Sequence, residues 1–498
     1  MMAARFGWPG WSDAGLAFGL GAVMATGQAP LGFWWLTLAA LAAFLHLAAR
    51  GGGAGWLSLF GGAGYFALAL SWIVQPFLID VARYGWMAPF AIVFVSFGFA
   101  LFWAAAGFVA GRMQSRAQRV VAFAVGLGVV ELARGYVLTG FPWALIGHVW
   151  IETPLAQVAA LIGPSGVTLL TVVAVALPVA FRWRGLVAGG ALLAAGLAFG
   201  MVRLAAPEPA ARDVVMRLVQ PNADQKVKWN PDVAQMLFDR QLAFTAVLPQ
   251  PDLVIWPETA VPYLMEEYPE VGQAMANASG GVPVVAGIQR YDGVKAWNSM
   301  AVIGDGGQIK ALYDKHHLVP FGEYMPFGDV LYDWFGIAAL AARQGNGYAA
   351  GAGGQVIDLG GKLGSFVPLI CDEAVFPQDL RGLPSRPDWI LQITNDAWFG
   401  TLTGPYQHLA QARFRAIEQG LPLVRVANTG ISAVVDARGR IVAELPRGIP
   451  AYLDAGLPGA LAETPYARWG EGPVMVLLAG LALWLVVWRL LDVRRGRA

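Results

Sequence analysis

Three polar side chains with complementary chemistry each follow or lie beside an apolar run in this sequence. Cys371 follows "SFVPLI", Glu258 follows "DLVIWP", and Lys315 lies in "ALYDKHHLVPFGEYMP". A cysteine provides a nucleophile strong enough to attack an acyl carbonyl. A carboxylate can take the thiol proton as a general base, and an ammonium can stabilise the thiolate and the developing oxyanion. Together these residue types predict acyl chemistry through a thioester.

Each candidate taken alone has a simpler structural interpretation. A single cysteine is usually a small buried hydrophobic residue, and a single glutamate or lysine is usually a solvated charge. Asp372 and Glu373 follow Cys371 directly, and negative neighbours disfavour a thiolate. The intervals between the three candidates are 371 − 315 = 56 and 315 − 258 = 57 residues, so only a folded domain can bring them together.

Alternating strands and helices surround these candidates. Apolar strands are predicted at 214–220, 252–258, 282–289, 299–304, 364–371, 388–395 and 422–430, with a hairpin at 432–445 that turns at "DARG". Helical periodicity covers 231–248 and 404–420. Strands that are apolar on both faces predict an α/β fold with buried sheets. In such folds ligands and catalytic residues usually lie at the ends of the strands.

The overall composition is typical of a membrane protein. Of the 498 residues, 57% are hydrophobic and 13% are charged, whereas a soluble domain has about 25% charged residues. A membrane-spanning helix needs about 20 largely apolar residues. Eight candidate spans lie near 12–28, 30–49, 55–76, 87–111, 119–138, 165–181, 185–204 and 473–491.

The arginines predict the orientation of these spans. With the N-terminus in the cytoplasm, most arginines of the membrane part fall in cytoplasmic loops, whereas Arg83 and Arg134 fall outside. This is the positive-inside bias of membrane proteins. We therefore predict a membrane domain of about seven helices at 1–204, an extracytoplasmic domain at 205–470, and a C-terminal helix with a basic cytoplasmic tail at 471–498.

Three local features add to this topology. Glu131 and Arg134 are three residues apart on one predicted helix face, and this spacing favours a local ion pair. Residues 139–166 are too broken by proline and glycine to span cleanly, so we expect an interfacial or re-entrant stretch. The aromatic and glycine-rich segment 321–353 is expected to form a lid, because a solvated loop would expose its aromatic side chains.

Several partner classes are disfavoured by the sequence. The net charge of +1 and the absence of a long basic run give no reason to expect a nucleic-acid partner. A single cysteine excludes an internal disulfide and any site built from several cysteines. His316 and His317 are adjacent, but no third ligand with credible spacing accompanies them. We expect neither a metal nor a cofactor.

The motifs that hold the candidates resemble a known family. They are "WPET", "YDKHHLVPFGEYMP", "LICDEAVFP" and "NDAWFGTLTGPYQHLAQARFRAIEQGLPLVRVANTGISAVVDARG". With the N-terminal spans, "GFPW" at 140–143 and the single C-terminal helix, they are similar to the apolipoprotein N-acyltransferases of the nitrilase superfamily. The resemblance covers nearly the whole chain.

The resemblance implies both a fold and a reaction. The fold is a nitrilase-like α-β-β-α sandwich in the periplasm, carried by about eight helices in the bacterial inner membrane, with both termini cytoplasmic. The reaction is ping-pong: a cysteine takes an acyl chain from a phospholipid, and the α-amino group of a diacylglyceryl-cysteine then accepts it. The implied partners are the phospholipid donor, the lipoprotein acceptor and the membrane, and we expect a monomer.

The resemblance also assigns roles to residues. Glu258, Lys315 and Cys371 match the base, the oxyanion stabiliser and the nucleophile, and Glu323 is expected to orient Lys315 and the thiol. Three further matching positions, linked to activity or to lipid contact, are Glu373, Trp229 and Trp398.

One position departs from the family pattern. The family commonly has tyrosine directly after the nucleophile, and this chain has Asp372. A carboxylate beside a thiol opposes thiolate formation unless it points away or pairs with a cation. The resemblance therefore gives Asp372 no role, although its position places it near the substrate contacts of the thioester.

Two alternative functions remain open on the sequence. A membrane-tethered amidase of nitrilase type would use the same triad with water as the acceptor, and would hydrolyse a lipidic amide or ester. A membrane scaffold with a degenerate nitrilase domain would need no triad, so the intact Glu258, Lys315 and Cys371 argue against it.

Overall fold

The chain forms two compact units. A computed structural model describes residues 7–50, 53–293, 295–326 and 347–495. The first unit comprises Met1–Ala206, Thr401–Phe414 and Glu463–Ala498, and the second comprises Pro207–Gly400 and Arg415–Ala462. Most of the predicted lid at 321–353 lies outside the described residues.

The α-helices begin and end as follows. They are α1 (Trp11–Ala25), α2 (Trp34–Ala48), α3 (Ala54–Ala69), α4 (Val81–Tyr84), α5 (Ala88–Ala110), α6 (Arg116–Arg134), α7 (Ala159–Ala205), α8 (Pro231–Thr245), α9 (Pro269–Ala278), α10 (Gly404–Gln419), α11 (Pro465–Trp469) and α12 (Gly472–Arg495). The first unit is built from helices because its sequence is apolar over long runs, and a helix satisfies every backbone hydrogen bond internally.

Some of these helices are long and apolar enough to cross a membrane. In the described chain they are Val81–Ala110, Pro154–Ala205 and Gly472–Asp492, and the bent pair Ala54–Ala69 and Ser71–Leu78 adds a fourth if it is one span. Helices α1 and α2 have 15 residues each, or about 22 Å, whereas the hydrocarbon core is about 30 Å thick. The count of about eight spans is therefore not established by helix length.

Helix α7 is interrupted by two residues with non-helical backbone. Gly163 has φ +66° and Arg182 has φ +58°, so Arg182 divides the long element into two helices. Before α7, the chain forms short 3₁₀ helices at Ile146–Trp150 and Pro154–Val158. The predicted broken segment at 139–166 thus consists of turns and 3₁₀ helices up to Val158, and its remainder belongs to the start of α7.

The predicted ion pair on α6 is present. Arg134 Nη2 lies 2.5 Å from Glu131 Oε2, and both side chains are buried. Trp103 Nε1 donates to Glu131 Oε1 at 2.8 Å, and Arg134 Nη1 donates to the Trp143 carbonyl at 2.9 Å. These contacts satisfy both charges within one unit, which confirms the interpretation as a local structural pair.

The second unit contains two six-stranded sheets. The strands are β1 (Val215–Gln220), β2 (Leu253–Ile255), β3 (Val284–Tyr291), β4 (Ala296–Ile303), β5 (Ile309–Asp314), β6 (Ile357–Asp358), β7 (Ser365–Ile370), β8 (Trp389–Thr394), β9 (Leu423–Ala427), β10 (Ser432–Val435), β11 (Ile441–Leu445) and β12 (Ala451–Gly456). Their orders are β12-β1-β2-β3-β4-β5 and β11-β10-β9-β8-β7-β6.

Each sheet has a parallel centre and antiparallel edges. Strands β1, β2 and β3 run parallel in one sheet, and β7, β8 and β9 run parallel in the other. The remaining pairs are antiparallel. The sheets face each other, because β1 contacts β9 and β4 contacts β7. Helices α8 and α9 contact each other and cover the first sheet through β1 and β4.

The buried sheets follow from the apolar strands. Strands β2, β8 and β9 are buried at every residue, as expected for sheets covered on both faces. Val254, Trp256 and Val284 lie in the core of the first sheet. All the predicted strands are present, with ends shifted by a few residues. The predicted helix at 231–248 is present as α8, and the one at 404–420 is present as α10, whose residues are divided between the two units. The sequence pattern did not identify β5, β6, β12 or α9.

Candidate active site

The three candidate residues follow three strand ends of the second unit. Glu258 is the third residue after β2, Lys315 directly follows β5, and Cys371 directly follows β7. Each charge acts on the thiol: Glu258 opposes its ionisation and Lys315 favours it. The structure therefore brings together residues that are more than fifty positions apart in sequence.

Cys371 lies in a sharp turn at the end of a buried strand. Its φ is +54°, a left-handed conformation that costs a non-glycine residue roughly 1–3 kcal/mol. Ile370 pairs with Ile393 in the parallel register of β7 and β8, which places the thiol near the following residue, Thr394. That side chain forms a hydrogen bond with the thiol. The strand pairing therefore fixes the position of the sulfur.

A buried polar chain holds the backbone of this turn. Gln392 Nε2 donates to the Cys371 carbonyl at 2.8 Å, and Arg425 Nη1 donates to Gln392 Oε1 at 2.6 Å. Arg425 also pairs with Asp396 at 2.5 Å, where both side chains are fully buried. Because a buried hydrogen-bonded charge pair resists displacement, this series of side-chain contacts stabilises the turn at Cys371.

Glu373 acts on the backbone around the site and is fully buried. Its Oε2 accepts from the Ile370 backbone N–H at 2.7 Å. Its Oε1 accepts from Tyr313 Oη at 2.8 Å and from the backbone N–H groups of His316 and His317 at 2.9 and 3.2 Å. One carboxylate thus joins the turn after β7 to the segment after β5. In the structure Glu373 is a brace between two strand ends.

Lys315 is held between two carboxylates. Its Nζ donates to Glu323 Oε2 at 2.6 Å and pairs with Asp372 Oδ1 at 2.5 Å. Glu323 Oε2 also accepts from the Val319 backbone N–H at 2.9 Å. The Lys315 side chain is 1% exposed. Its ammonium has three N–H donors, so one donor remains after Glu323 and Asp372 have each accepted one. Asp372 therefore pairs with a cation, which is the condition that makes a carboxylate beside the thiol tolerable.

Glu258 is oriented by two asparagines that the sequence analysis did not identify. Asn298 Nδ2, on β4, donates to Glu258 Oε1 at 2.7 Å and to Glu323 Oε1 at 3.2 Å. The backbone N–H of Asn395, after β8, donates to Glu258 Oε2 at 2.7 Å. The one available signal was a polar asparagine inside the apolar strand sequence "WNSMAVI", because a buried polar side chain needs partners.

The turn that carries Glu258 depends on a close backbone approach. Gly287 on β3 lies against it, and a Cβ there would come within 2.5 Å of the Pro257 carbonyl oxygen and 2.6 Å of the Glu258 Cα. The Gly287 N–H donates to the Pro257 carbonyl, and its carbonyl accepts from the Ala260 N–H. Only glycine leaves this space, so Gly287 sets the position of the carboxylate.

Burial and charge set the protonation states of the triad. Burial raises the pKa of the Cys371 thiol well above its ordinary value, Glu258 raises it further, and Lys315 opposes both. Burial also raises the pKa of Glu258, while Lys315 lowers it. Burial alone would lower the pKa of Lys315, but the surrounding acids, led by Asp372 and Glu323, raise it well above its ordinary value. The resting site therefore pairs a neutral thiol with an ammonium and a strengthened base.

Asp372 titrates in a different range from an ordinary aspartate. Burial raises the pKa of Asp372 to about 7, Lys315 opposes that rise, and Glu323 adds to it. The side chain is 14% exposed, more than its ionic partner Lys315. A carboxyl group in this state exchanges protons near neutral pH.

His316 is a counter-ion for two acids. Its Nδ1 lies 2.9 Å from Glu373 Oε1 and its Nε2 lies 3.6 Å from Asp379 Oδ2. Burial would lower the pKa of His316, but Asp379 and Glu373 raise it to about 10, so the imidazole is protonated at neutral pH. No cluster of three metal-ligating side chains occurs among the described residues.

The two candidate tryptophans lie in different surroundings. Trp229 is half-buried and lines a cavity of about 20 Å³ together with Glu258 and Lys228. Lys228 Nζ lies 4.9 Å from the centre of the Trp229 ring. Trp398 is half-buried in the short helix Asp396–Phe399 after β8. The structure therefore places Trp229 beside the candidate base.

The sequence is similar to known families over nearly its whole length. The model of the apolipoprotein N-acyltransferase N-terminal domain matches residues 20–177, and that of carbon-nitrogen hydrolases matches residues 219–466. The chain is 38% identical to the apolipoprotein N-acyltransferase of Sinorhizobium fredii, with 84% of each chain covered. It is 37% identical to that of Rhodopseudomonas palustris, with 96% of each covered. It is 40% identical to that of Bradyrhizobium diazoefficiens, with 86% of this chain and 84% of the relative covered.

Proposed function

The chain belongs to the apolipoprotein N-acyltransferase family, and from this premise we propose how its residues carry out acyl transfer. The enzyme moves an acyl chain from a phospholipid to the α-amino group of an apolipoprotein's N-terminal diacylglyceryl-cysteine, and the product is a triacylated lipoprotein. The observation that carries the residue assignment is the convergence of Glu258, Lys315 and Cys371 from three strand ends. Their charges act on one another within a buried cluster.

In the first half-reaction, Cys371 becomes acylated. Glu258 takes the thiol proton, and Sγ attacks the ester carbonyl carbon of the phospholipid. Lys315 donates to the oxyanion with the N–H that Glu323 and Asp372 do not use. The carbon–oxygen bond then breaks, and the lysophospholipid oxygen takes the proton from Glu258. A base whose pKa is raised toward neutral serves both proton transfers well, and this supports Glu258 in the role.

In the second half-reaction, the acceptor amine displaces the sulfur. The amine nitrogen attacks the thioester carbonyl carbon, the same ammonium stabilises the oxyanion, and the carbon–sulfur bond breaks. Glu258 takes a proton from the nitrogen and returns it to Sγ, which regenerates the thiol. We propose that Glu323 and Glu373 hold Lys315 and the Cys371 turn in place for both steps.

Contacts to the substrates are proposed for three further residues. Trp229 lies beside Glu258 at a cavity, Trp398 follows the strand next to Cys371, and Asp372 is adjacent to the sulfur. Aromatic side chains suit contact with acyl chains because they offer large apolar surfaces. Asp372, in contrast, offers a charge to a polar part of the substrate.

We also propose that the enzyme spans the bacterial inner membrane eight times. The break at Arg182 divides α7 into two helices, so α1, α2, α3, α5, α6, the two halves of α7, and α12 supply eight. The arginine distribution supports cytoplasmic termini and a periplasmic catalytic domain at 205–470. In this organisation 1–204 and 471–498 form the membrane part of a monomer.

A site at the membrane surface has a physical advantage for this reaction. Both substrates carry acyl chains, and moving one from the bilayer into water costs about 0.8 kcal/mol per CH₂ group. Reporter fusions at residue 210 and at the C-terminus test the orientation. A cytoplasmic signal from the fusion at residue 210 would contradict it.

The chemistry is tested by following the acyl group. The purified enzyme is incubated with labelled phospholipid, and intact-protein mass spectrometry should detect one acyl adduct on Cys371. Addition of a diacylated lipopeptide should remove the adduct and yield a triacylated peptide. Release of free fatty acid without peptide acylation would instead identify a hydrolase. An adduct that persists in Cys371→Ala would contradict the choice of nucleophile.

A further inference from the structure

Asp372 is the least satisfied carboxylate around the candidate nucleophile. Glu258 accepts two hydrogen bonds and Glu323 accepts three. Among the described residues, Asp372 has a single ionic hydrogen-bond partner, Lys315, whose Nζ lies 2.5 Å from Asp372 Oδ1 and is shared with Glu323. An ionised carboxylate has about four acceptor sites, so Asp372 keeps unused acceptor capacity. The carboxylate can therefore accept a further donor from an incoming group.

The charge of the cluster favours a cationic group. One ammonium, Lys315, contacts both Glu323 and Asp372, and one positive charge does not neutralise two negative charges. Asp372 is also more exposed than Lys315, at 14% against 1%. An additional cation that approached the site would reach Asp372 more readily than the fully engaged Glu323.

The acceptor substrate supplies such a cation. An α-amino group has a pKa of about 7.7–8.0, so most acceptor molecules arrive at neutral pH as ammonium ions. An ammonium has no lone pair with which to attack the thioester. A group beside Cys371 that binds the ammonium and removes one proton would therefore make the protonated majority of the acceptor reactive, in addition to the fraction that is already free amine.

We propose that Asp372 binds the α-ammonium group of the acceptor and takes its first proton, so that a neutral amine attacks the thioester on Cys371. Asp372 can have this role only if Cys371 carries the acyl group as proposed above. The proposed role makes Asp372 a catalytic residue of the second half-reaction. It also gives a function to the position at which this chain departs from the tyrosine common in its family.

The proton balance of the second half-reaction is complete under this assignment. The ammonium carries three N–H bonds and the amide product carries one, so two protons leave the nitrogen. The first passes to the Asp372 carboxylate and then to solvent. The second passes through Glu258 to Sγ as the nitrogen–carbon bond forms and the carbon–sulfur bond breaks. No oxidant, reductant or other co-reactant is needed.

The surroundings of Asp372 allow it to gain and lose a proton near neutral pH. Lys315, from the end of β5, favours its ionised form, and so does His317. Glu323 disfavours that form, and Asp372 itself opposes ionisation of the adjacent Cys371. Once Cys371 is acylated, its sulfur no longer ionises, so Asp372 then affects only the amine and Lys315.

The test measures the two half-reactions separately in the variant Asp372→Asn. The donor is phosphatidylglycerol, which contains no amine, and thioester formation is followed by intact-protein mass spectrometry. We expect the variant to form the thioester at least as fast as the wild type, because a charge that opposes the thiolate is gone. Asp305→Asn, an exposed position in the turn after β4, is the matched control and should change neither half-reaction.

The second half-reaction gives the decisive measurement. With a diacylated lipopeptide at pH 7, transfer in Asp372→Asn should be at least about 10-fold slower, since general-base catalysis typically contributes more than this. The deficit should shrink as pH rises through the acceptor's pKa of about 7.7–8.0, because the free amine then needs no base. The rate of spontaneous thioester hydrolysis is measured in a sample that lacks acceptor and is subtracted. Asp372→Glu should recover part of the rate.

Five results would overturn the assignment. Equal slowing of both half-reactions would show that Asp372 only positions Lys315. A transfer deficit that is independent of pH, or equal slowing with hydroxylamine (an uncharged nucleophile at pH 7), would show that no ammonium is deprotonated there. Slower thioester formation only with phosphatidylethanolamine would identify the donor head group as the ligand. Failure of the wild type to form any thioester would overturn the proposed function as well.

Discussion

Removal of the Asn298 side chain tests the network that orients the base. Asn298→Ala deletes the donor that Glu258 Oε1 and Glu323 Oε1 share, at 2.7 and 3.2 Å. The backbone carbonyl of Asn298, which accepts from the Lys315 N–H at 2.9 Å, remains in alanine. The variant therefore removes an electrostatic contact and leaves the β4–β5 connection in place.

The expected effect follows from the number of donors lost. Glu258 keeps the Asn395 N–H on its other oxygen, so it loses one of two hydrogen bonds. A hydrogen bond to a charged group contributes about 1.5–3 kcal/mol. If that contribution is realised in the transition state, kcat/KM for thioester formation falls by about 10- to 150-fold.

The pH profile of the same variant has a defined direction. The Asn298 hydrogen bond lowers the pKa of Glu258, which burial raises above its ordinary value. Loss of the donor should raise this pKa further. A general base works in its ionised form, so the acid limb of the kcat/KM profile should move to higher pH. Above that limb, the deficit in kcat/KM should level off at the value set by the lost transition-state contact.

The assay is thioester formation followed by mass spectrometry across a pH series. Asn277→Ala, which removes an exposed asparagine from α9, is the control and should match the wild type. A decrease of less than about threefold with an unchanged acid limb would refute the reasoning, because a shared donor to two carboxylates should change both quantities.

Three further substitutions test other parts of the site. Cys371→Ala should form no acyl adduct with labelled phospholipid, and a retained adduct detected by mass spectrometry would point to another nucleophile. Glu373→Ala should lower the free energy of unfolding by about 3–5 kcal/mol, because the protonated His316 then lacks one of its buried partners. Thermal melting in detergent measures this, and an unchanged midpoint would exclude the bracing role. Gly287→Ala should abolish thioester formation because its Cβ would lie 2.5 Å from backbone atoms. Gly456→Ala should retain it, because the nearest atom to its Cβ would lie 3.9 Å away, an ordinary van der Waals distance.

Strand positions in the catalytic unit were largely predictable because they depend on local patterns. Runs such as "DWILQITN" are apolar on both faces, and only a doubly covered sheet buries both. Strands β5, β6 and β12 could not be predicted because they lack this apolar pattern. Their sequences are short or half-exposed, so their pairing is decided by neighbouring strands.

The candidate residues were predictable as types, and their environment was not. The sequence itself determined a membrane-protein composition, the strand ends that carry Glu258 and Cys371, the choice of Lys315 as a candidate, and the family to which the chain belongs. Only the tertiary structure identified Asn298 and showed Asp372 in contact with Lys315. Pairing, burial and pKa depend on distances between groups that are remote in sequence, and local patterns carry no information about those distances.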